Sequence, residues 1–133
     1  MSTGRRDYTW GFLNEAAVEG RFTESFTKYA SGSIGAGAVL YLIDYVIPVG
    51  YRLTINRIEA STVSRVINRF GVFVDGVAII YHYFSENYSF VFSDQNPLYV
   101  SAGKTLRVQC MNLDEVPYYF FGSVIGSLQQ LTV

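Results

Sequence analysis

The chain has 133 residues, of which 50% are hydrophobic, and its 10 basic and 11 acidic side chains give a formal net charge of -1. This composition indicates one globular domain, and it excludes a disordered chain and an electrostatic attraction to nucleic acid or an anionic membrane. One cysteine and one histidine are too few for an intrachain disulfide or a Cys/His zinc site, so we expect no metal or other cofactor.

Residues 1–35 predict an extended arm that ends in a glycine-rich hinge at residues 30–37. Its large apolar side chains are too few to form a core, so we expect them to pack on a partner. The predicted interface residues of the arm are Tyr8, Trp10, Phe12, Phe22 and Phe26. The arm lacks the apolar centre of a secretory signal, and no stretch approaches 18 apolar residues, so we expect a soluble protein made in the cytoplasm.

After residue 37, runs rich in Val, Ile, Tyr and Phe alternate with Gly, Pro, Asn and Asp about every ten residues, which is typical of an all-β domain. Residues 39–47 predict a strand that ends at Pro48, whose missing N–H cannot serve a central ladder. The apolar alternation of residues 52–56 resumes one position out of phase, which predicts a bulge at Asn56 and Arg57.

Asp75 and Gly76 stand between two β-branched runs and predict a hairpin with a two-residue type I′ turn. Residues 105–111 alternate strictly, which predicts that Leu106, Val108 and Cys110 point into the core. Further predicted strands follow the same rules and cover residues 88–92, 98–100, 118–125 and 128–133. The total is eight or nine strands.

One pattern occurs twice, 53 residues apart: residues 47–55 and 100–108 both read apolar-x-x-Gly-x-x-Leu-x-β-branched. Each copy predicts a strand, a tight glycine turn and a second strand. A repeat of half a domain favours two Greek keys folded over each other. The sequence therefore predicts a jelly-roll-like β-sandwich of about eight antiparallel strands over residues 36–133, preceded by the arm at residues 1–35.

No residue pattern predicts an enzyme. The turn at residues 97–106 resembles the second conserved motif of cupins, but Leu106 stands where those proteins have a metal-binding histidine. His82 near Glu86 or Asp94 could serve as a general base, although a histidine that is hydrogen-bonded among tyrosines is the simpler interpretation. No phosphate-binding glycine loop and no Gly-x-Ser-x-Gly turn is present.

The aromatic residues exceed what one core needs. Residues 118–121 are consecutive aromatics, so two of them point into the sandwich and two point outward. We assign Tyr118 and Phe120 to an assembly interface, together with the aromatics of the arm. The alternative is a sugar-binding surface. Its predicted contact residues are Tyr81, Tyr83, Tyr88, Asp94 and Asn96.

Residues 45–55, 72–77, 96–108 and 112–114 resemble small jelly-roll virion proteins of tailed bacteriophages, which include capsid decoration proteins and head or tail accessory proteins. The shared features are a proline-glycine turn, a valine-aspartate-glycine hairpin and an alanine-glycine turn before a strand that ends in asparagine. The resemblance covers about residues 45–114. It implies a non-enzymatic structural role, commonly as a homotrimer.

We therefore expect a virion subunit that is made in the host cytoplasm and that binds itself and the major capsid protein or another virion protein. The alternative function is that of a carbohydrate-binding β-sandwich that recognises a receptor or glycan. Binding to nucleic acid or to a membrane is expected under neither hypothesis.

Overall fold

Nine β-strands form two antiparallel sheets in the computed structural model, which describes residues 19–93 and 95–131. Their alternating burial follows the period of two that the sequence shows. In chain order the strands are β1 (Glu19–Ile34), β2 (Val39–Val46), β3 (Tyr51–Thr62), β4 (Asn68–Val74), β5 (Val77–Phe84), β6 (Asn87–Val91), β7 (Leu98–Val100), β8 (Thr105–Met111) and β9 (Tyr118–Leu131).

The strand order identifies the topology. The first sheet has the order β1-β9-β3-β6, and β7 also pairs with β3, so β6 and β7 together form one interrupted edge strand. The second sheet has the order β2-β8-β4-β5. With β6 and β7 counted as one, the sheets read 1-8-3-6 and 2-7-4-5, which is the order of an eight-stranded jelly roll. The predicted all-β sandwich is confirmed.

The position of β1 corrects the predicted boundary between arm and sandwich. Residues 19–34 form a 16-residue strand that pairs with β9 along its whole length, so the sandwich includes them. Gly32 of the predicted hinge lies inside this strand and serves packing, because a Cβ at Gly32 would lie 2.8 Å from a methyl group of Leu40. Gly35 and Gly37 lie between β1 and β2. Residues 1–18 of the predicted arm lie outside the described residues.

The core fills the space between the two sheets. Leu106, Val108 and Cys110 of β8 are fully buried, as their alternation predicts. Phe70 of β4 and Phe120 of β9 are the largest fully buried side chains. Each contributes about 1.5–3 kcal/mol through its removal from water.

The two copies of the repeated pattern form matching turns, and each crosses from one sheet to the other. Gly50 and Gly103 adopt φ angles of 87° and 80°, which explains why glycine stands at these positions. The turns also contact each other. The N–H of Ile47 donates to the carbonyl of Lys104 at 2.9 Å, and the N–H of Gly103 donates to the carbonyl of Ile47 at 2.8 Å. We call this end of the sandwich the glycine-turn end.

The predicted hairpin and bulge are both present. Asp75 and Gly76 have φ angles of 49° and 80°, as a type I′ turn requires, and they connect the paired strands β4 and β5. The register between β3 and β9 shifts between Ile55 and Arg57, at the predicted bulge. The Asp75 carboxylate accepts the backbone N–H of Thr105 at 2.8 Å, which joins the hairpin tip to β8.

Two buried asparagines organise the opposite end of the sandwich. Asn112 donates to the carbonyls of Ile34 and Val116, each at 2.8 Å. Asn68 accepts the backbone N–H of Leu113 at 3.0 Å. Because a buried amide without partners would be costly, these bonds fix the loops that precede β4 and β9.

Candidate functional site

The predicted interface residues of the described chain are largely core residues. Phe26 and Phe120 are 8% and 0% exposed, so within one chain they belong to the core. Tyr118 is partly buried and packs against the same core. The outward aromatics of this strand are Tyr119 and Phe121. The remaining predicted interface groups lie outside the described residues: Tyr8, Trp10, Phe12 and the side chain of Phe22.

The predicted sugar contacts do not come together at one place. Tyr81 and Tyr83 are 52% and 58% exposed on the outer face of the second sheet. Tyr88 points inward from β6, where its ring packs on Phe70 and stacks on His82 with ring centroids 4.7 Å apart. Burial raises the pKa of the Tyr88 hydroxyl above its usual value. Asn96 is exposed in the segment between β6 and β7, and Asp94 lies outside the described residues.

The outer face of the second sheet is aromatic. Its side chains alternate with buried residues such as Val72 and Val108, so they stand on the side away from the core. We call this surface the tyrosine face, and its aromatic and basic members are Tyr41, Arg69, Phe73, Tyr81, Tyr83 and Arg107. Tyr41 is 46% exposed, which is similar to the exposure of Tyr81 and Tyr83.

Gly71 lets two rings lie close to the backbone of the sheet at the centre of the tyrosine face. A Cβ at this position would be 2.8 Å from a ring carbon of Phe73 and 3.0 Å from the ring of Tyr81. The rings of Phe73 and Tyr81 meet edge to face, with centroids 5.9 Å apart and an interplanar angle of 76°. This is a favourable aromatic geometry, and it packs the two rings against each other at the centre of the face.

Arginines hold the tyrosines of this face in place. The guanidinium carbon of Arg69 lies 4.7 Å from the ring centroid of Tyr81, and that of Arg107 lies 5.3 Å from Tyr41. Both distances are within the range of cation–π attraction. Arg107 also forms an ion pair with Asp44 at 3.3 Å. The rings of Tyr41 and Tyr81 are therefore held by contacts within the chain.

The outer face of the first sheet combines exposed tyrosines, such as Tyr99 and Tyr119, with a carboxylate that is held by hydroxyl groups. The Glu59 carboxylate accepts the hydroxyls of Ser89 and Ser123, each at 3.4 Å, and pairs with Arg57 at the same distance. A shallow pocket of about 120 Å³ lies beside it, between Tyr29 and other outward side chains of β3 and β9. The polar partners already engage the carboxylate, which leaves little of its charge for an outside ligand.

A second pocket, of about 210 Å³, lies where the edges of β1 and β2 face each other across the open side of the sandwich. We call this region the seam, and its lining residues are Lys28, Tyr29, Ala30, Leu42, Ile43, Asp44 and Tyr45. The ring of Tyr45 packs on Phe26 with centroids 5.0 Å apart, and the ammonium of Lys28 lies 5.1 Å from that ring. Burial, and then the charge of Glu24, raises the pKa of Tyr45.

The titratable residues singled out in the sequence have structural surroundings. Nδ1 of His82 lies 2.7 Å from the carbonyl oxygen of Tyr83, and its ring stacks on Tyr88, in agreement with the simpler interpretation. Burial raises the pKa of the Cys110 thiol to about 12, so it stays protonated at neutral pH. Across residues 19–93 and 95–131, no three His, Cys, Asp or Glu side chains are grouped to hold a metal ion.

The same described part of the chain has no helix that is long and apolar enough to cross a membrane.

No protein-family model and no curated protein sequence matches the chain. Among solved structures, PirA is similar with a TM-score of 0.50 and 10% identity over 72% of this chain and 92% of PirA. PliG, a periplasmic lysozyme inhibitor of Aeromonas hydrophila, gives a TM-score of 0.43 and 13% identity over 76% and 87% of the two chains. A virus-like particle of the extra small virus of the prawn Macrobrachium rosenbergii gives a TM-score of 0.40 and 9% identity, over 80% of this chain and 79% of the viral chain. At these identities the likeness shows the β-sandwich fold alone.

Proposed function

We propose that this protein is a non-enzymatic virion structural protein, a capsid decoration protein or a capsid- or tail-associated subunit. The tyrosine face is the observation that carries this proposal. Three of its tyrosines are about half exposed, and two arginines of the same face stack on two of them, Tyr41 and Tyr81. A monomer gains nothing from an ordered aromatic surface in water, whereas a subunit buries it against a neighbour.

The chemistry of this face fits a protein partner. Tyrosine and arginine are enriched in protein interfaces because tyrosine buries a large area with few rotatable bonds and arginine donates from a planar group. The rings of Phe73 and Tyr81 lie close to the sheet over Gly71. A sugar site would need several hydrogen-bonding groups around one ring, and the inward position of Tyr88 removes part of the predicted set.

The partners that we propose are further copies of this chain, as a homotrimer, and the major capsid protein or another virion protein. The likeness of residues 45–114 to tailed-phage virion proteins supports this choice, as do the low charge and the aromatic surplus of the chain. The proposed location is the virion, after synthesis in the host cytoplasm.

Two measurements on the full chain test this proposal. Light scattering should give a multiple of the 14.9 kDa chain mass, and sedimentation with preassembled shells of coat protein should recover the protein in the pellet. Deletion of residues 2–18 keeps every strand, because β1 begins at Glu19, and should weaken both results without loss of folding. A monomer that does not bind coat shells would contradict the proposal. Binding to a glycan array that millimolar sugar competes away would favour the carbohydrate-binding alternative.

A further inference from the structure

Three of the four sheet edges carry features that protect an open strand. Within the described residues the sheets end at β1, at β2, at β5, and at β6 with β7. Charges, proline and interruptions on an edge strand stop other strands from pairing with it. β1 carries Glu24 and Lys28, and β2 carries Asp44. The edge of β6 and β7 is interrupted by a segment that contains Pro97.

The fourth edge, β5, has little of this protection. Its residues Val77–Phe84 include no acidic residue, lysine, arginine or proline, and within the described chain the strand pairs only with β4. Its one irregularity is an extra residue at Ile79. Val77, Ile79 and Tyr81 are 66%, 42% and 52% exposed, so no other described part of the chain covers the strand. We call it the β5 edge.

The β5 edge offers backbone groups at Tyr81 and Tyr83. In an antiparallel pair, alternate residues direct their N–H and C=O groups to the neighbouring strand, and the residues between them direct theirs away. The carbonyl oxygen of Tyr83 lies 2.7 Å from Nδ1 of His82, so it belongs to the outward set. Tyr81, two residues earlier, belongs to the same set. Because a carbonyl has two lone pairs, Tyr83 can accept a further hydrogen bond.

The side of the sandwich beside this edge is aromatic. The ring of His82 stacks on Tyr88 of β6, with centroids 4.7 Å apart, and closes the core between the two sheets. Phe90 of the same strand is 36% exposed and packs on Phe92, with centroids 4.8 Å apart. β6 has no charged residue. A strand that adds to the β5 edge therefore meets rings and no charge on β6.

A second copy of β5 is the strand that matches this edge. An antiparallel pair centred on Tyr81 places Tyr81 opposite Tyr81 and Tyr83 opposite Ile79, so no charged side chains meet. Aromatic and β-branched residues form favourable cross-strand pairs. A charged strand of another protein would find no complementary charge on β5. The pairing also joins the two tyrosine faces at Tyr81, which makes one continuous aromatic surface.

We infer that the β5 strands of two copies pair antiparallel about a twofold axis at Tyr81 and join their second sheets into one sheet of eight strands. This inference goes beyond the proposed function, because it concerns a contact at the sheet edge and leaves the tyrosine face free for another partner. A twofold contact between identical surfaces closes at two copies. It therefore links single chains, or the proposed trimers, in pairs.

Disulfide trapping in the full chain tests the position of the axis. In the inferred pair the two Tyr81 Cα atoms are about 5.5 Å apart, within the range of about 4.4–6.8 Å that a disulfide spans. Oxidised Tyr81→Cys should therefore run at twice the chain mass on a non-reducing gel, and the buried Cys110 does not compete. Tyr41→Cys is the matched control, because Tyr41 is 46% exposed on the same face but lies on β2. It should give at least about tenfold less dimer.

An exchange of charges tests the pairing without a covalent bond. Tyr81→Lys and Tyr81→Glu each place two like charges opposite each other at the axis, so each should weaken dimer formation by about tenfold. An equal mixture should dimerise at least about threefold more tightly than either variant alone, because opposite charges then face each other. Sedimentation equilibrium measures the constants, and thermal unfolding checks that the variants fold. The same two substitutions at Tyr41 are the control and should show no gain on mixing.

The outcomes separate this inference from the proposed function. Equal trapping at Tyr81 and Tyr41, or no gain on mixing the Tyr81 variants, would overturn the twofold pair even if the protein sediments with coat shells. Trapping and a gain on mixing in a protein that does not bind coat shells would support the pair and contradict the proposed function. Protection of residues 77–84 from hydrogen exchange on coat shells but not in the free protein would assign the edge to the coat protein and overturn the inference. A full chain that is monomeric at every concentration would overturn both.

Discussion

The two outer faces of the sandwich share one core and one strand geometry, and both expose tyrosines, yet the groups around those rings differ. The face of the first sheet carries the Glu59 carboxylate, which Ser89, Ser123 and Arg57 engage, together with exposed tyrosines such as Tyr99 and Tyr119. The face of the second sheet carries aromatic rings and two arginines. Both faces therefore expose tyrosines, and the second sheet adds the edge-to-face pair of Phe73 and Tyr81 over Gly71.

The two sheets also differ in how closely other atoms approach one of their glycines. A Cβ at Gly126 in the first sheet would lie 2.0 Å from the carbonyl oxygen of Thr54, which is backbone. A Cβ at Gly71 in the second sheet would meet only the rings of Phe73 and Tyr81. Backbone at a bulge is fixed, whereas a ring can rotate to another rotamer.

The largest expected effect follows from this difference. Gly126→Ala should lower the free energy of unfolding by about 3 kcal/mol, because the added methyl group displaces a paired strand. Gly71→Ala should cost about 1 kcal/mol, because the rings move aside. Chemical denaturation of both variants measures the two losses. Equal losses would show that the rings over Gly71 are as fixed as the backbone.

The second-largest effect is expected when two exposed tyrosines are removed from the outer face of the second sheet. Tyr81→Ser with Tyr83→Ser should weaken assembly or coat binding by about 2 kcal/mol, or about thirtyfold in Kd, as expected for central interface tyrosines. Tyr99→Ser with Tyr119→Ser is the matched control on the first sheet, where exposures of 50% and 58% nearly equal those of the other pair. Sedimentation equilibrium gives both constants. A larger loss in the control pair would reverse the assignment of the interface.

A smaller effect is expected at the hairpin of the second sheet. Gly76 has a φ of 80° with open space around its Cβ position, so only the backbone conformation opposes a side chain there. Gly76→Val should destabilise the protein by at least about 1 kcal/mol, since a β-branched residue resists positive φ. Gly35→Val is the control, because Gly35 is equally open and lacks a positive φ. An unchanged melting temperature in Gly76→Val would refute this reasoning.

The smallest effect concerns the charge at this hairpin. The backbone N–H of Thr105, and then Lys104, lowers the pKa of Asp75 below 3.8. A lowered pKa stabilises the folded protein at neutral pH, and this contribution is lost as the pH falls through the folded-state pKa. The stability gap between the unmodified protein and Asp75→Asn should therefore shrink below about pH 3.8 in denaturation series. A gap that is independent of pH would mean that the hydrogen bond alone matters.

Local patterns in the sequence predict much of this fold. Asp75 and Gly76 require a specific turn, and the strict alternation around Val108 allows one register. The glycine turns at Gly50 and Gly103 were visible as a repeat, and they meet in space. Each of these features depends on residues within about ten positions of one another, where sequence and conformation are most directly linked.

The missed features depend on distant partners. β1 is rich in Ser, Thr and Gly, and its pairing with β9 has no signal within residues 19–34. The aromatic run at residues 118–121 showed the alternation but not which alternate residues face the core, and Tyr118 and Phe120 are the ones that do. The buried role of Asn112 was missed too, although asparagine at the end of a strand is a known turn former.

The place of β9 between β1 and β3 also determines when the chain can fold during its synthesis. β1 leaves the ribosome early, but residues 35–117 must follow before its partner exists, which takes about 4–17 s at typical translation rates. The second sheet can close first, because its last strand is β8. During this interval the first sheet lacks its central strand and exposes the apolar side of β3. Nascent chains of this topology are therefore clients for chaperones until residue 131 has emerged.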